Sequence, residues 1–169
     1  VGVVGLGGLG HMGVKFAVSF GAEVTLISHT ASKQKDAEHL GAHNFLLSTD
    51  EKQMKAAESS FDVILNTISA NHDYAKYLKL LDLNGKMLVV GLPSEDPRTD
   101  PFKLIKNRRS ITGSMIGGTI ETQEMLDYCA EKNIVADVEV IPIQKINEAY
   151  ERMLRNDVRY RFVIDMSSL

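Results

Sequence analysis

The chain has 169 residues, enough for one domain with a substantial core and too few for two full ones. With 44% hydrophobic and 24% charged residues it has the composition of an ordinary globular protein, and no apolar run reaches the ~18 residues of a membrane span. Nineteen basic against 22 acidic residues, a net charge of −3, argue against a general nucleic-acid binder, and one cysteine, Cys129, makes neither an internal disulfide nor a cysteine-based zinc site by itself, so a cytoplasmic setting is expected.

Residues 1–4 are a short β-branched apolar run and predict a core strand. No basic stretch precedes them, unlike a secretory signal, and a start inside a strand leads us to expect a domain cut from a longer protein. A glycine cluster follows, then a helix whose Leu9, Met12, Phe16 and Phe20 share one face, ended by Gly21-Ala22. Residues 24–27 predict a second strand, 32–40 a polar helix and 44–47 a third strand. Ser48, Thr49 and Asp50 are good N-caps for a helix over 51–58, and 61–65 predict a fourth strand. The rhythm then repeats: a helix over 74–81 with Tyr74, Leu78 and Leu81 on one stripe, a turn at Asn84-Gly85, a fifth strand over 86–90, a polar loop over 94–101, and a sixth strand over 110–116 closed by Gly117-Gly118. A helix over 122–132, a strand over 138–143, an amphipathic helix over 144–155 and a strand over 162–165 complete the chain.

This alternation predicts an α/β fold, a doubly wound six-stranded parallel (Rossmann) sheet with helices on both faces. Six strands are complete by residue 118, so residues 1–118 are expected to form the nucleotide-binding domain and 119–169 an appended α/β segment. Tyr74, Tyr77 and Leu78 read as a packing stripe, Met115, Met125 and Met153 as core-compatible, Cys129 as a buried small hydrophobe, and the run 106–109 (Lys, Asn, Arg, Arg) as solvated.

Gly5, Gly7 and Gly10, in Gly5-Leu6-Gly7-Gly8-Leu9-Gly10, spell G-x-G-x-x-G after a strand and at the start of a helix, the context that gives the motif meaning. Gly5 allows a tight turn, Gly7 lets backbone approach a pyrophosphate, and Gly10 lets helix pack closely on strand. Exposed N–H groups and the helix dipole then favour phosphate; the bland alternative is a glycine-rich turn in another α/β protein. At the end of the second strand an NAD site usually places a carboxylate for the ribose hydroxyls. Here stand Ser28, His29, Thr30 and Ser32, then Lys33: hydroxyls to donate and a positive charge, with no carboxylate among them to repel a 2′-phosphate. That favours NADP over NAD, although the same residues also serve as a helix N-cap and a solvated lysine. The missing acid also argues against an S-adenosylmethionine-dependent methyltransferase.

With residues 1–11 (VGVVGLGGLGH), 21–24 (GAEV), 82–86 (DLNGK), 90–93 (VGLP), 113–118 (GSMIGG) and 156–165 (NDVRYRFVID) in view, the chain resembles the medium-chain dehydrogenase/reductase superfamily, and within it the zinc-dependent cinnamyl alcohol dehydrogenase group. The resemblance implies that Ser28, His29, Thr30 and Lys33 bind the NADP 2′-phosphate, with His29 where relatives often carry serine. It implies that Thr67, Val90, Gly91, Ser114 and Ile116 hold the nicotinamide half. Arg161 would reach back to the pyrophosphate, a task suited to guanidinium, the alternative being a surface charge beside Asp165.

The resemblance also implies zinc, held only in an N-terminal catalytic domain outside this sequence, where it would act as a Lewis acid on a small-molecule alcohol or aldehyde. No pair among His11, His29, His39, His43 and His72 has a convincing ligand spacing, so no metal site and no catalytic residue are expected here, and His11 reads as structural or phosphate-adjacent. Residues 119–169 would pack on the catalytic domain, leaving the surroundings of Val138, Val140 and Ile143 exposed without it. A homodimer pairing the sixth strand across a two-fold axis is implied, with no nucleic-acid or membrane partner. The leading expectation is thus the coenzyme half of an NADP-dependent alcohol dehydrogenase, inactive on its own. The alternative is a stand-alone NADP-binding regulatory module; a zinc-free quinone oxidoreductase is disfavoured because its loop more often begins with alanine.

Overall fold

A computed structural model describes residues 1–97 and 99–169. Its six parallel strands are β1 (Gly2–Val4), β2 (Thr25–Ser28), β3 (Asn44–Leu47), β4 (Phe61–Asn66), β5 (Leu81–Val89) and β6 (Ser110–Gly113), in the order β3-β2-β1-β4-β5-β6. Between them run helices α1 (Gly10–Ser19), α2 (Gln34–His39), α3 (Glu51–Ala56), α4 (Tyr74–Leu78) and α5 (Pro101–Ile105). Successive residues of a strand face opposite sides, and here both sides are covered. Val3 and Leu26 point into a core with Val14, Ala37 and Leu40 beneath α1 and α2. Val4 and Ile27 point the other way, into a core with Met54, Ile64, Tyr77, Leu78 and Met87 beneath α3 and α4. This is the expected doubly wound sheet, and Tyr74, Tyr77 and Leu78 are buried in it as the stripe predicted.

Several boundaries differ for identifiable reasons. The helix expected over 74–81 stops at Leu78, and Leu81 already pairs with Phe61 in β5. The turn expected at Asn84-Gly85 is an irregularity inside that strand: pairing jumps from Phe61–Leu81 to Val63–Lys86, with Asn84 left-handed at φ 61°. Strand β6 ends at Gly113, not residue 116, because its partner β5 ends at Val89, opposite Gly113. The stripe Leu9, Met12, Phe16, Phe20 is not the face α1 buries. That face is Gly10, His11 and Val14, and a Cβ on Gly13 would lie 2.6 Å from a Leu65 methyl. The sequence reading missed α5, whose start has a clear local cause: Asp100 Oδ1 accepts from Phe102 N at 3.0 Å, with Pro101 at the first helical position.

Residues beyond 118 form α6 (Thr119–Lys132), three residues longer at its start than expected, then β7 (Val138–Pro142), α7 (Ile146–Leu154) and β8 (Arg161–Asp165). The helix expected over 144–155 begins only at Ile146, after a 3₁₀ turn at Ile143–Lys145. Strands β7 and β8 make a separate two-stranded parallel sheet. This arm lies against α1. Tyr128 of α6 packs on Phe20 and Phe16, Lys15 Nζ pairs with Asp137 at 2.6 Å, and Tyr160 enters the core beneath α1.

Three expectations about side chains are corrected. Met115, Met125 and Met153 are exposed. Cys129 is half-buried, its thiol against the Met125 sulfur one helical turn back. Arg109, expected in solvent, is buried: Nε donates to Leu81 O at 2.8 Å, and the guanidinium also reaches Lys103 O, Lys79 O and Ser59 Oγ, each at 3.3 Å. Among the described residues no helix is long and apolar enough to cross a membrane.

Candidate cofactor-binding site

Because the sheet is parallel, β1, β2, β4, β5 and β6 all end along one edge, and each of the sequence-derived site residues lies along it or on the arm. The strand order reverses between β1 and β4, the point at which such sheets bind ligands. The ladder runs one residue beyond each strand: Gly5 N donates to Ile27 O at 3.0 Å, Thr67 N to Val4 O at 3.0 Å, Val90 N to Asn66 O at 3.0 Å and Ser114 N to Val89 O at 3.1 Å.

The three glycines play separable parts. Gly5 has φ +93°, open to glycine and strained for other residues. A Cβ on Gly10 would fall 2.1 Å from Gly5 O, so only a bare Cα lets α1 start this close to the β1 turn. A Cβ on Gly7 would meet nothing within 4 Å: Gly7 is exposed and its space faces out of the protein. Leu6 and Gly8 are half-covered and Leu9 is exposed. Leu9, the N-cap of α1, makes no side-chain capping bond, so its side chain accepts from none of the first N–H groups of the helix.

Ser28 is buried at the end of β2, and its Oγ accepts from Thr30 N at 3.2 Å, which leaves its O–H to donate. His29 is exposed, and Thr30 and Lys33 are half-buried. Lys33 Nζ lies 3.8 Å from Asp36 Oδ2 and 5.9 Å from the Tyr160 ring centre. A carboxylate therefore stands behind the lysine after all, one turn further along than a reading of 28–33 reached. On the other side of the switch point, Thr67 Oγ1 donates to Val4 O at 2.8 Å, Gly91 is buried where a Cβ would strike Ile68 O at 2.3 Å, and Ser114 and Ile116 are exposed.

The arm reaches this loop in three places. Arg161 NH2 donates to Gly8 O at 3.1 Å and makes no ion pair with Asp165. His11, wholly buried, has Nδ1 at 3.0 Å from Gly7 O, and Asp137 N donates to its Nε2 at 3.3 Å. Those partners fix one neutral tautomer, N–H on Nδ1 and lone pair on Nε2, and burial pulls the ring's pKa below its usual 6.5. The His11 ring stacks on Tyr160 at 4.7 Å, and burial, with Asp36 nearby, pushes the phenol up to about 12. Sequence reasoning singled out His11 but missed its partners Asp137 and Tyr160, which lie more than 120 residues away. It also missed Asn66, buried at the end of β4, whose Nδ2 meets His72 Nε2 at 2.8 Å and whose Oδ1 accepts from Ile68 N.

The zinc-binding dehydrogenase family model matches residues 8–131. The chain belongs to that family. It is 50% identical, along its full length, to the NADP-dependent alcohol dehydrogenase C 1 of Mycolicibacterium smegmatis, and covers 48% of it. A cinnamyl alcohol dehydrogenase from Sorghum bicolor superposes with a TM-score of 0.95 at 46% identity, over 98% of this chain and 47% of that one. A cinnamyl alcohol dehydrogenase from Helicobacter pylori, solved with NADP(H), superposes at 0.87 with 38% identity, over 98% and 47%. The chain thus spans about half the length of the relatives it matches.

The cofactor implied by these relatives fits the open space at Gly7 and the uncapped start of α1. The zinc of the family name does not fit. Among the described residues no three His, Cys, Asp or Glu side chains converge. His11 is committed to Gly7 and Asp137, His72 to Asn66, and His43 Nδ1 accepts from Val24 N.

Proposed function

We propose that this chain is the NADP(H)-binding half of an alcohol dehydrogenase that interconverts primary alcohols and aldehydes in the cytoplasm. The observation that carries the reading is the outward-facing Gly7 cradle at the switch point, beside a β2 that ends in Ser28. The N–H groups of the loop 5–10 and the start of α1 bind the pyrophosphate, and Arg161, against Gly8, adds a guanidinium to it. Ser28, His29, Thr30 and Lys33 take the 2′-phosphate: the serine O–H donates, and Lys33 neutralises charge. Thr67, Val90, Gly91, Ser114 and Ile116 line the shelf for the nicotinamide half. When bound, the cofactor supplies or accepts a hydride at the nicotinamide ring. This chain's part is to bind and orient it; the catalytic residues and zinc belong to the half of the protein that the relatives have beyond this match. Residues 1–118 form the coenzyme domain. Residues 119–169 offer Val138 and Val140, 42% and 65% exposed, to the catalytic half. Strand β6, at the sheet edge, pairs with its copy in a homodimer.

The test is a titration of the intact protein with NADPH, read by its own fluorescence, and with NADH by competition. NADPH is expected to bind at least about tenfold more tightly, and Lys33→Ala to remove most of that preference. Equal affinities, or tighter NADH, refute the assignment.

A further inference from the structure

We propose that Arg159 is a second cationic ligand for the cofactor's 2′-phosphate, a selectivity role that rests on the NADP(H) reading above. Residues 159–161 cross from the glycine loop to α2 as a strap. At one end Arg161 donates to Gly8 O at 3.1 Å. In the middle Tyr160 is buried between the His11 ring, 4.7 Å away, and the Lys33 ammonium, 5.9 Å away. At the other end Arg159 NH2 lies 3.2 Å from Asp36 Oδ1, while Lys33 Nζ lies 3.8 Å from Asp36 Oδ2. The two cations therefore sit on the two oxygens of one carboxylate, and the strap carries one guanidinium to each end of the adenosine half of the site.

The local charge is unbalanced. Two cations face one anion, leaving a net positive charge beside the residues that would take the 2′-phosphate. The carboxylate lies beneath, its side chain 11% exposed, and Arg159 lies above, 67% exposed. On the lysine side the pairing is loose: Asp36 Oδ2, 3.8 Å from Lys33 Nζ, is buried and makes no hydrogen bond. A guanidinium has five N–H donors in a planar fork, so Arg159 can keep Asp36 and still offer a pair of donors to a phosphate. The competing reading is an ordinary surface ion pair, which would leave cofactor choice untouched.

The experiment measures dissociation constants of the full-length dehydrogenase for NADPH and NADH by fluorescence, and for adenosine 2′,5′-bisphosphate and 5′-AMP by calorimetry, so that binding is read without turnover. Arg159→Ala is expected to weaken NADPH and the bisphosphate about tenfold while NADH and 5′-AMP stay within about twofold; Arg159→Lys recovers part of the loss. Unchanged NADPH binding in Arg159→Ala overturns the proposal. An equal loss for all four ligands also overturns it, since the strap would then only position Arg161. Lys33→Ala separates the two levels. If it removes the NADPH preference and Arg159→Ala does not, only the role of Arg159 falls. If the wild type shows no NADPH preference and Lys33→Ala changes nothing, the NADP(H) reading falls with it.

Discussion

Gly7 and Gly10 are three residues apart, yet the structure assigns their substitution by alanine opposite consequences. At Gly10 the new Cβ would sit 2.1 Å from Gly5 O and 2.9 Å from Gly5 C, and both neighbours are backbone. Reaching even a tight contact of 3.0 Å means moving the start of α1 away from the β1 turn by about 0.9 Å. Overpacking of this kind costs up to about 3 kcal/mol, offset by about 1 kcal/mol because alanine favours helix over glycine, for a net loss near 2 kcal/mol. At Gly7 the new Cβ meets nothing within 4 Å and φ lies outside the left-handed region, so stability should change by less than about 0.5 kcal/mol. Binding follows another logic, because the space that the Gly7 methyl would fill is the proposed pyrophosphate cradle. Gly7→Ala should weaken NADPH and NADH alike, on the order of a hundredfold, since both carry the pyrophosphate. The chain contains no tryptophan, so unfolding in urea is followed by far-ultraviolet circular dichroism and binding by NADPH emission. A Gly7→Ala protein that binds NADPH within about threefold of wild type would refute the cradle, and a Gly10→Ala protein as stable as wild type would refute the close approach.

Two further outcomes test the scaffold. Arg109→Met should destabilise the protein by about 3 kcal/mol in the same urea assay, because it takes the guanidinium donors from the carbonyls of Leu81 and Lys103 and leaves Lys79 O with Ser59 N alone; a change below about 0.5 kcal/mol would mean those bonds contribute nothing. His11 should make stability fall in acid. Burial lowers its folded pKa, so below about 6.5 the unfolded chain takes up a proton that the folded one refuses; stability is then full above that pH and is lost as pH falls, by at most about 1.4 kcal/mol per pH unit until the folded pKa is reached. Lys15, Arg161 and Asp137 all face the ring, and protonated Nε2 would point at Asp137 N–H. Urea midpoints from about pH 5 to 8 should show a shallower slope in His11→Asn than in wild type, and equal slopes would remove His11 from the account.

What the sequence disclosed, and what it withheld, divides by range and by residue type. The glycine loop could be read because its parts are contiguous and each glycine answers a local demand: a positive φ at Gly5, open space at Gly7, contact at Gly10. The doubly wound parallel sheet followed from alternation and crossover handedness, which are properties of consecutive elements. The buried face of α1 was misread for an instructive reason. A helix can bury its glycines, and a hydrophobic pattern gives Gly10 and Gly13 no weight, so the larger Leu9, Phe16 and Phe20 drew the stripe round to the side. Arg109 was misread because a charge run looks alike whether it faces water or carbonyls; its acceptors come from residues 6 to 50 positions away and exist only once the strands are stacked.

The arm shows the same limit at its greatest range. The run 156–165 was conspicuous in sequence, but Arg161 meets Gly8 across 153 residues and Asp137 meets His11 across 126. Tyr160 shares a core with Val3, Val14 and Leu26, so the strap is fixed by the packing that fixes β1, α1 and β2. The proposed adenosine side of the shelf is therefore built from both ends of the chain. The first strand and turn supply backbone donors, and the last strand begins with the guanidinium of Arg161, while the buried His11–Tyr160 stack joins the two. A substitution in that stack would be felt as a displaced glycine loop even though neither ring need touch the cofactor. Affinity for NADPH and stability of the arm should accordingly move together for changes at Tyr160, and separately for changes at Arg159, whose side chain stands in solvent outside that core.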